Sequence, residues 1–196
     1  MKTHTLGKTV AAAAALVLMN SAPAARVDVY PQSFEPGGWS LDAQFMDVMG
    51  SPYLIAHGLG VRVLDAKAHV SFPAPGEYRV WVRTKNWADG APGRFRVRVD
   101  GRPLAKTFGA GPREWAWEDG GLVKIDGRTA TVALEDLTGF DGRCAGISFV
   151  STDTKAEPAA PGDLDLASMM QPLPATAVMR EPGYFVWGGR DRKSVV

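Results

Sequence analysis

Residues 26–150 alternate between apolar and polar side chains in short runs, and turn sequences separate the runs. Phe95, Val97 and Val99, for example, are separated by arginines. Successive side chains of a strand point to opposite faces of a sheet, so this pattern gives each strand one core face and one solvent face. Many short runs separated by turns are typical of sandwiches and barrels. We therefore predict an all-β, antiparallel, jelly-roll-like β-sandwich, with at most one short helix near residues 42–49.

The same triplet, Asp-Gly-Arg, occurs at residues 100–102, 126–128 and 141–143. Asp-Gly favours tight hairpin turns because both residues tolerate positive φ. The spacing between the triplets is unequal, which does not indicate a structural repeat. We predict three similar turns.

The first 24 residues have the pattern of a secretory signal peptide. Lys2 and Lys8 precede an apolar run at residues 10–19, and small residues follow at 22–24. The run is about half the roughly 20 residues that a membrane-spanning helix needs. We predict cleavage before Ala25, a secreted or periplasmic location, and no membrane association after cleavage.

The C-terminal part of the chain changes character. Residues 151–162 are rich in Pro, Ala and polar side chains and predict a linker. Residues 163–190 are too few to bury a core and predict the truncated start of a catalytic domain. Residues 191–196 back-translate into a common sequencing adapter followed by a stop, so we expect an artefact there and a gene that continues. The sequence therefore predicts a fragment with an incomplete second domain.

Charge and cysteine content exclude several classes of function. The chain has 22 basic and 21 acidic residues, a formal charge of +1. Such a balance provides no broad positive surface for nucleic acid. Cys144 is the only cysteine, so no disulfide framework is expected, and we predict that Cys144 is a buried small apolar residue.

Recognisable catalytic chemistry is missing from the sequence. It contains neither the Gly-x-Ser-x-Gly of a nucleophile elbow nor the His-Glu-x-x-His of a zinc protease. Only His57 and His69 remain after the leader, too few for a three-histidine zinc site. No catalytic residue and no cofactor are predicted within the fragment, while calcium, which oxygen ligands alone can bind, stays open. Whether the intact protein is an enzyme is left undecided at this point.

Tryptophan is abundant, with six residues in the chain. Sugar-binding sites commonly combine a flat aromatic ring with a few fixed polar groups. Each ring also has a structural alternative: Trp39 is expected in the core, and Trp81 could be covered by neighbouring arginines through cation–π contact. The candidate ligand-binding residues are His57, Trp81, Arg83, Trp87, Trp115, Trp117, Asp141 and Arg143.

Five segments resemble, in order, the golvesin and xanthan-lyase carbohydrate-binding-like domain: GGWSLDAQFMDVMGSPYLIAHGLGV, FPAPGEYRVWVRTKNW, PGRFRVRVDGRPL, REWAWEDGG and LTGFDGRCAGISF. They lie within residues 37–149. The resemblance implies a β-sandwich accessory module of secreted bacterial enzymes, among them polysaccharide lyases, glycoside hydrolases and FAD-dependent oxidoreductases. Residues 172–189, PLPATAVMREPGYFVWGG, look like the opening of a five-bladed β-propeller glycoside hydrolase.

Three functions remain open from the sequence. The first is a non-catalytic module that binds polysaccharide and tethers or orients an enzyme. The second is the N-terminal part of a secreted glycoside hydrolase or FAD-dependent oxidoreductase. The third is a structural spacer whose tryptophans pack on its own missing catalytic domain.

Overall fold

The computed structural model describes residues 24–44 and 46–152. The predicted signal peptide apart from Ala24, the predicted truncated domain, the suspected adapter artefact at 191–196 and nearly all of the predicted linker lie outside these residues. The described elements are β1 (Arg26–Val29), a 3-10 helix (Pro31–Ser33), β2 (Ser40–Asp42), α1 (Met46–Met49), β3 (Tyr53–His57), β4 (Ala66–Ser71), β5 (Gly76–Thr84), β6 (Phe95–Val99), β7 (Arg102–Phe108), β8 (Ala116–Ile125), β9 (Thr129–Asp136) and β10 (Phe140–Ser151). β10 thus includes Ser151, the first residue of the predicted linker.

Two antiparallel sheets form the domain, as the alternation predicts. One has the strand order β2-β3-β10-β5-β8, with β1 paired to the second half of β10. The other has the order β4-β9-β6-β7. The predicted β-sandwich is confirmed, and the single helical turn α1 lies where a short helix was expected.

The core lies between the inner faces of the two sheets. Trp39, predicted to be a core residue, is 1% exposed and packs edge-on against Phe95, with 5.6 Å between the ring centroids. Phe72 meets Phe149 in the same way at 5.1 Å. Burial of each such side chain contributes about 1.5–3 kcal/mol to folding. A disulfide is therefore not needed to stabilise a sandwich of this size.

The three Asp-Gly-Arg triplets adopt three different structures, so the prediction of similar turns is wrong. Asp100 and Gly101 have φ of 48° and 76° and close the β6–β7 hairpin as expected. Residues 126–128 join β8 to β9 without a positive φ at Asp126 or Gly127. Residues 141–143 lie inside β10, where Asp141 has φ of 55° and the register with β3 shifts. This β-bulge redirects side chains at the start of β10.

The strand registers place the first and last described residues of the sandwich, near Ala25 and Ser151, and one group of loops at opposite ends. His57 pairs with Phe140, Thr84 with Ala116, and Phe95 with Phe108. The loops at 58–65, 85–94, 109–115 and 137–139 therefore share one end, which we term the loop end. At the other end the backbone N–H of Ser151 donates to the carbonyl of Ala25 at 2.8 Å.

Candidate functional site

The buried carboxylate of Asp136 organises the loop end. Asp136, at the end of β9, is 1% exposed. Its Oδ1 accepts hydrogen bonds from the backbone N–H groups of Thr138 (3.0 Å) and Gly139 (2.9 Å), and its Oδ2 accepts one from Val63 (3.0 Å). One carboxylate thus fixes both the β9–β10 turn and the β3–β4 loop. A buried carboxylate is tolerated in this position because backbone donors satisfy both oxygens.

Gly139 completes this connection through its backbone. Its carbonyl oxygen accepts hydrogen bonds from the N–H groups of Gly58 and Gly60, each at 3.1 Å. Gly139 has φ of 72°, and a Cβ at this position would lie 2.5 Å from backbone atoms of Val61. Only glycine therefore fits here without a shift of the loop.

The indole of Trp87 is fixed and partly open to solvent at this end. Its Nε1–H donates to the carbonyl of Phe140 at 3.3 Å, and the guanidinium of Arg143 lies 5.3 Å from the ring centroid. The guanidinium of Arg113 donates to the Trp87 carbonyl and to the carboxylate of Asp89. Trp87 is 39% exposed. Its ring is therefore a preorganised aromatic surface.

A histidine and an aspartate lie beside this ring system. The β10 bulge brings the carboxylate of Asp141 to Nδ1 of His57, at 2.5 Å. The side chain of Asp141 is 17% exposed and that of His57 43% exposed. The two polar side chains are thus held together at a surface that water and a ligand can reach.

Arg143 connects the loop end to the outer face of the six-stranded sheet. Its guanidinium lies over Trp87 and also over Tyr53, 5.8 Å from the centroid of the phenol ring. Its Nη1 donates to the carbonyl of Asp141 at 3.0 Å. Its buried Nε–H has no acceptor. Arg143 is therefore held mainly by ring contacts.

A second group of aromatic and cationic side chains lies on the same outer face, where β5 and β8 meet the loop end, and we term Tyr53, Arg83 and Trp115 the covered patch. The rings of Tyr53 and Trp115 are 5.5 Å apart, and the Arg83 guanidinium lies 5.4 Å from the Trp115 ring. Trp115 Nε1–H donates to the Met49 carbonyl at 2.9 Å, and Arg83 donates to Ser51 at 3.0 Å. The segment that contains α1 thus covers these side chains.

Tyr53 is anchored below this cover. Its hydroxyl donates to Oδ2 of Asp42 at 2.6 Å, and both residues are nearly inaccessible to solvent. Burial, together with the hydrogen bond to Asp42, raises the pKa of Tyr53 to about 12. The phenol therefore stays protonated and serves as a structural donor.

Trp81 and Trp117 occupy the outer face of the six-stranded sheet, on β5 and β8. Arg79 lies 5.9 Å from the Trp81 ring, in agreement with the predicted cation–π cover. Trp117 pairs in register with Arg83. Arg79 also donates two hydrogen bonds to Asp119, at 2.7 and 3.2 Å, which lower the pKa of that carboxyl group.

The structure therefore divides the eight predicted site residues. His57, Trp87, Asp141 and Arg143 come together at the loop end. Arg83 and Trp115 belong to the covered patch, and Trp81 and Trp117 lie on the outer sheet face.

The fold was compared with known structures. A native family 35 carbohydrate binding module from Clostridium thermocellum matches with a TM-score of 0.53 over 65% of this chain and 99% of the module, at 14% identity. The CBM36-1 domain of a multidomain xylanase from the hindgut metagenome of Trinervitermes trinervoides matches with 0.51 over 66% of this chain and all of the domain, at 16% identity. The chain has the β-sandwich fold of carbohydrate-binding modules.

An enzyme that carries a family 35 carbohydrate-binding module also matches. The GH26-CBM35 β-(1,4)-mannanase of Podospora anserina gives a TM-score of 0.52 at 16% identity, over 71% of this chain but only 30% of the mannanase. Comparison with protein-family models gave no match, and comparison with curated proteins gave none either. At identities of 14–16%, the structural likeness establishes the fold of this chain.

Several residues of the loop end were not predicted as site residues. Phe140 is 47% exposed and supplies the carbonyl that fixes Trp87. Arg113 and Asp136 hold the surrounding loops. The sequence Asp-Leu-Thr-Gly at 136–139 carries a signal for Asp136, because an aspartate followed by Thr and Gly commonly accepts the N–H groups of its own turn.

Within residues 24–44 and 46–152, no three His, Cys, Asp or Glu side chains form a group that could hold a metal ion. Cys144 is fully buried, as predicted, and burial raises the pKa of its thiol to about 12. Such a thiol is not a nucleophile at neutral pH. In the same residues, no helix is long and apolar enough to cross a bilayer.

Proposed function

We propose that this domain is a non-catalytic carbohydrate-binding module of a secreted polysaccharide-processing enzyme, and that the loop end is its binding site. The observation that carries the proposal is the fixed and partly exposed ring of Trp87. A planar indole can stack on the C–H face of a sugar, while neighbouring polar groups bind its hydroxyls. Because the ring is already ordered, stacking costs little additional conformational entropy.

The polar groups beside Trp87 have the variety that sugar hydroxyls require. Asp141 offers a carboxylate acceptor, while His57 and Arg113 offer ring and guanidinium nitrogens. Each is held by a partner at the loop end: His57 and Asp141 by each other, and Arg113 by Asp89. Fixed donors and acceptors around an aromatic ring determine the orientation of the bound sugar.

The positions of Ala25 and Ser151, where the sandwich begins and ends, fit an accessory role. Ala25 and Ser151 are hydrogen-bonded to each other at the end opposite Trp87. β10 runs between the two ends with 12 residues, a length of about 40 Å. A catalytic domain attached through the predicted linker would then lie on the far side of the module from the polysaccharide.

We further propose that the module is of the golvesin and xanthan-lyase type, and that the gene continues past Arg190 into an enzyme. A β-propeller glycoside hydrolase is the first candidate and an FAD-dependent oxidoreductase the second. Sequencing of the locus beyond Gly189 tests both. A genuine stop codon after Val196 would contradict the proposed continuation.

Affinity electrophoresis of the mature chain against acidic and neutral polysaccharides tests the binding function. We expect retardation on at least one polymer and its loss in Trp87→Ala. Trp81→Ala is the matched control, because Trp81 also lies beside an arginine and is partly exposed, but it projects from the middle of β5 on the outer sheet face. Retardation on no polymer by a folded chain would contradict the function. Loss of retardation in Trp81→Ala but not in Trp87→Ala would contradict the loop end as the binding site.

The spacer function has one observation in its favour. Leu59, Val61 and Leu64 in the β3–β4 loop are 79%, 72% and 77% exposed, and clustered exposed apolar side chains often mark contacts between domains. In that case Trp87→Ala, or Leu59→Ser with Val61→Thr, would lower the thermal stability of the intact enzyme without a change in polysaccharide binding.

A further inference from the structure

We infer that the polysaccharide bound at the loop end contains uronic acids, and that Arg143 pairs with their carboxylate groups. This inference rests on the proposed function and specifies its ligand. Arg143 is half-buried at the site, its guanidinium lying over the rings of Trp87 and Tyr53. A sugar stacked on Trp87 would therefore lie next to a positive charge.

That charge has no direct ion-pair partner among the described side chains. The guanidinium of Arg143 makes hydrogen bonds to the carbonyl of Asp141 and to the hydroxyl of Tyr53, both of which are neutral groups. Its ionic neighbours are already paired: Arg113 with Asp89, and His57 with Asp141. The cation that touches the aromatic surface thus forms no direct ion pair with a described carboxylate and reaches Asp42 only through the hydroxyl of Tyr53.

A partly buried cation without a counter-charge lowers stability unless something else gains from it. Arginine is less strongly hydrated than lysine, and its planar guanidinium matches a carboxylate with two parallel hydrogen bonds. Ring contacts restrict the motion of the guanidinium, so less entropy is lost when an anion binds. These properties favour a carboxylated sugar over a neutral one.

Matched polymers test the inference. Polygalacturonate, alginate and hyaluronan, each compared with its carboxyl-reduced form, would be titrated calorimetrically into the mature chain at constant ionic strength. We expect at least one acidic polymer to bind about tenfold more tightly than its reduced form, since charge-assisted hydrogen bonds are worth that much. In Arg143→Gln the preference should fall below about twofold, and Arg143→Lys should keep part of it.

Arg102→Gln is the matched charge control. Arg102 is exposed at the β6–β7 hairpin, at the end opposite the site, so its loss should leave the preference unchanged. Trp87→Ala should weaken binding of the acidic and reduced polymers alike. Circular dichroism and thermal unfolding verify that each variant is folded.

The salt dependence of the wild-type chain gives a second measurement that needs no variant. Affinity for the acidic polymer should fall between 0.05 and 0.5 M NaCl, while affinity for the reduced form stays constant. Equal affinity for both forms, or a preference that survives Arg143→Gln, would overturn the inference and leave the proposed function intact. Equally tight binding of a sulfated galactan would overturn the carboxylate assignment. Binding of no polymer at all would contradict the proposed function itself.

Discussion

The loop end and the covered patch place the same kinds of side chain on the same sheet face with opposite results. In each, a tryptophan lies against an arginine: Trp87 against Arg143, and Trp115 against Arg83. The segment that contains α1 covers the second pair, and its backbone and Ser51 satisfy the polar groups. Nothing described covers Trp87. Whether an arginine–tryptophan pair serves packing or recognition is therefore decided by what lies above it.

The largest effect on stability should come from the covered patch. We expect Trp115→Ala to lower the free energy of unfolding by about 3 kcal/mol, because it leaves a cavity beside Tyr53 and removes the hydrogen bond to Met49. Trp87→Ala, at the open site, should cost less than about 1 kcal/mol. Urea unfolding monitored by circular dichroism measures both. Equal costs would contradict the distinction between the two regions.

A similar loss of stability should follow removal of the carboxylate that organises the loop end. Asp136→Ala should lower the free energy of unfolding by about 3 kcal/mol, since three backbone N–H groups lose their acceptor. Polysaccharide affinity should fall as well. Asp126→Ala, at an exposed turn, is the matched control and should leave stability essentially unchanged. Unchanged binding by a folded Asp136→Ala chain would show that these loops do not form the site.

A smaller effect is expected from the anchor of the covered patch. Tyr53→Phe should lower the free energy of unfolding by about 1–2 kcal/mol at pH 7, because buried Asp42 loses its donor. The folded-state pKa is raised from 10 to about 12, so this stabilisation is present below pH 10 and is lost as the pH rises towards 12. Unfolding of wild type and variant at pH 7, 10 and 12 measures it. If the difference in unfolding free energy between wild type and Tyr53→Phe stayed constant through pH 12, the stabilising hydrogen bond from the Tyr53 hydroxyl to Asp42 would be contradicted.

The smallest effect should come from the open sheet face. Asp119→Asn should cost about 0.5 kcal/mol at pH 7, because the ion pair with Arg79 is partly exposed and screened. The pKa of Asp119 is lowered in the folded state, chiefly by the hydrogen bond from Arg79. Its stabilisation is therefore present above the unfolded-state pKa and is lost as the pH falls through the lowered value. The difference in melting temperature between wild type and Asp119→Asn should be largest at pH 7 and should shrink as the pH is lowered below about 4.

Strands with one buried face could be predicted from the sequence, and strands without a solvent face could not. β4, β5 and β6 alternate as expected, with every second residue buried. β3 has four consecutive buried residues because its inner side chains lie in the core and its outer side chains, Tyr53 and Ile55, lie in or beside the covered patch. A run buried on both faces shows no period of two, so alternation cannot identify it.

Only part of the candidate site could be predicted from the sequence, because the rest depends on contacts that no local pattern shows. Sequence spacing selects aromatic and charged residues near turns, and it correctly assigned Trp39 to the core. It cannot show that the third Asp-Gly-Arg triplet forms a bulge that directs Asp141 towards His57. Nor can it show that residues distant in the chain cover Trp115 and leave Trp87 open.

The sequence by itself determined the class of fold, because the alternation of side chains along a strand is a local property of the backbone. It also determined that Cys144 stabilises the domain as an apolar residue, since a single cysteine cannot form a disulfide within the chain. The tertiary structure alone decided which arginine–tryptophan pair is covered by another segment and which is open. That choice depends on contacts between segments separated by 50 residues or more along the chain, such as Met49 with Trp115, and no local pattern encodes such contacts.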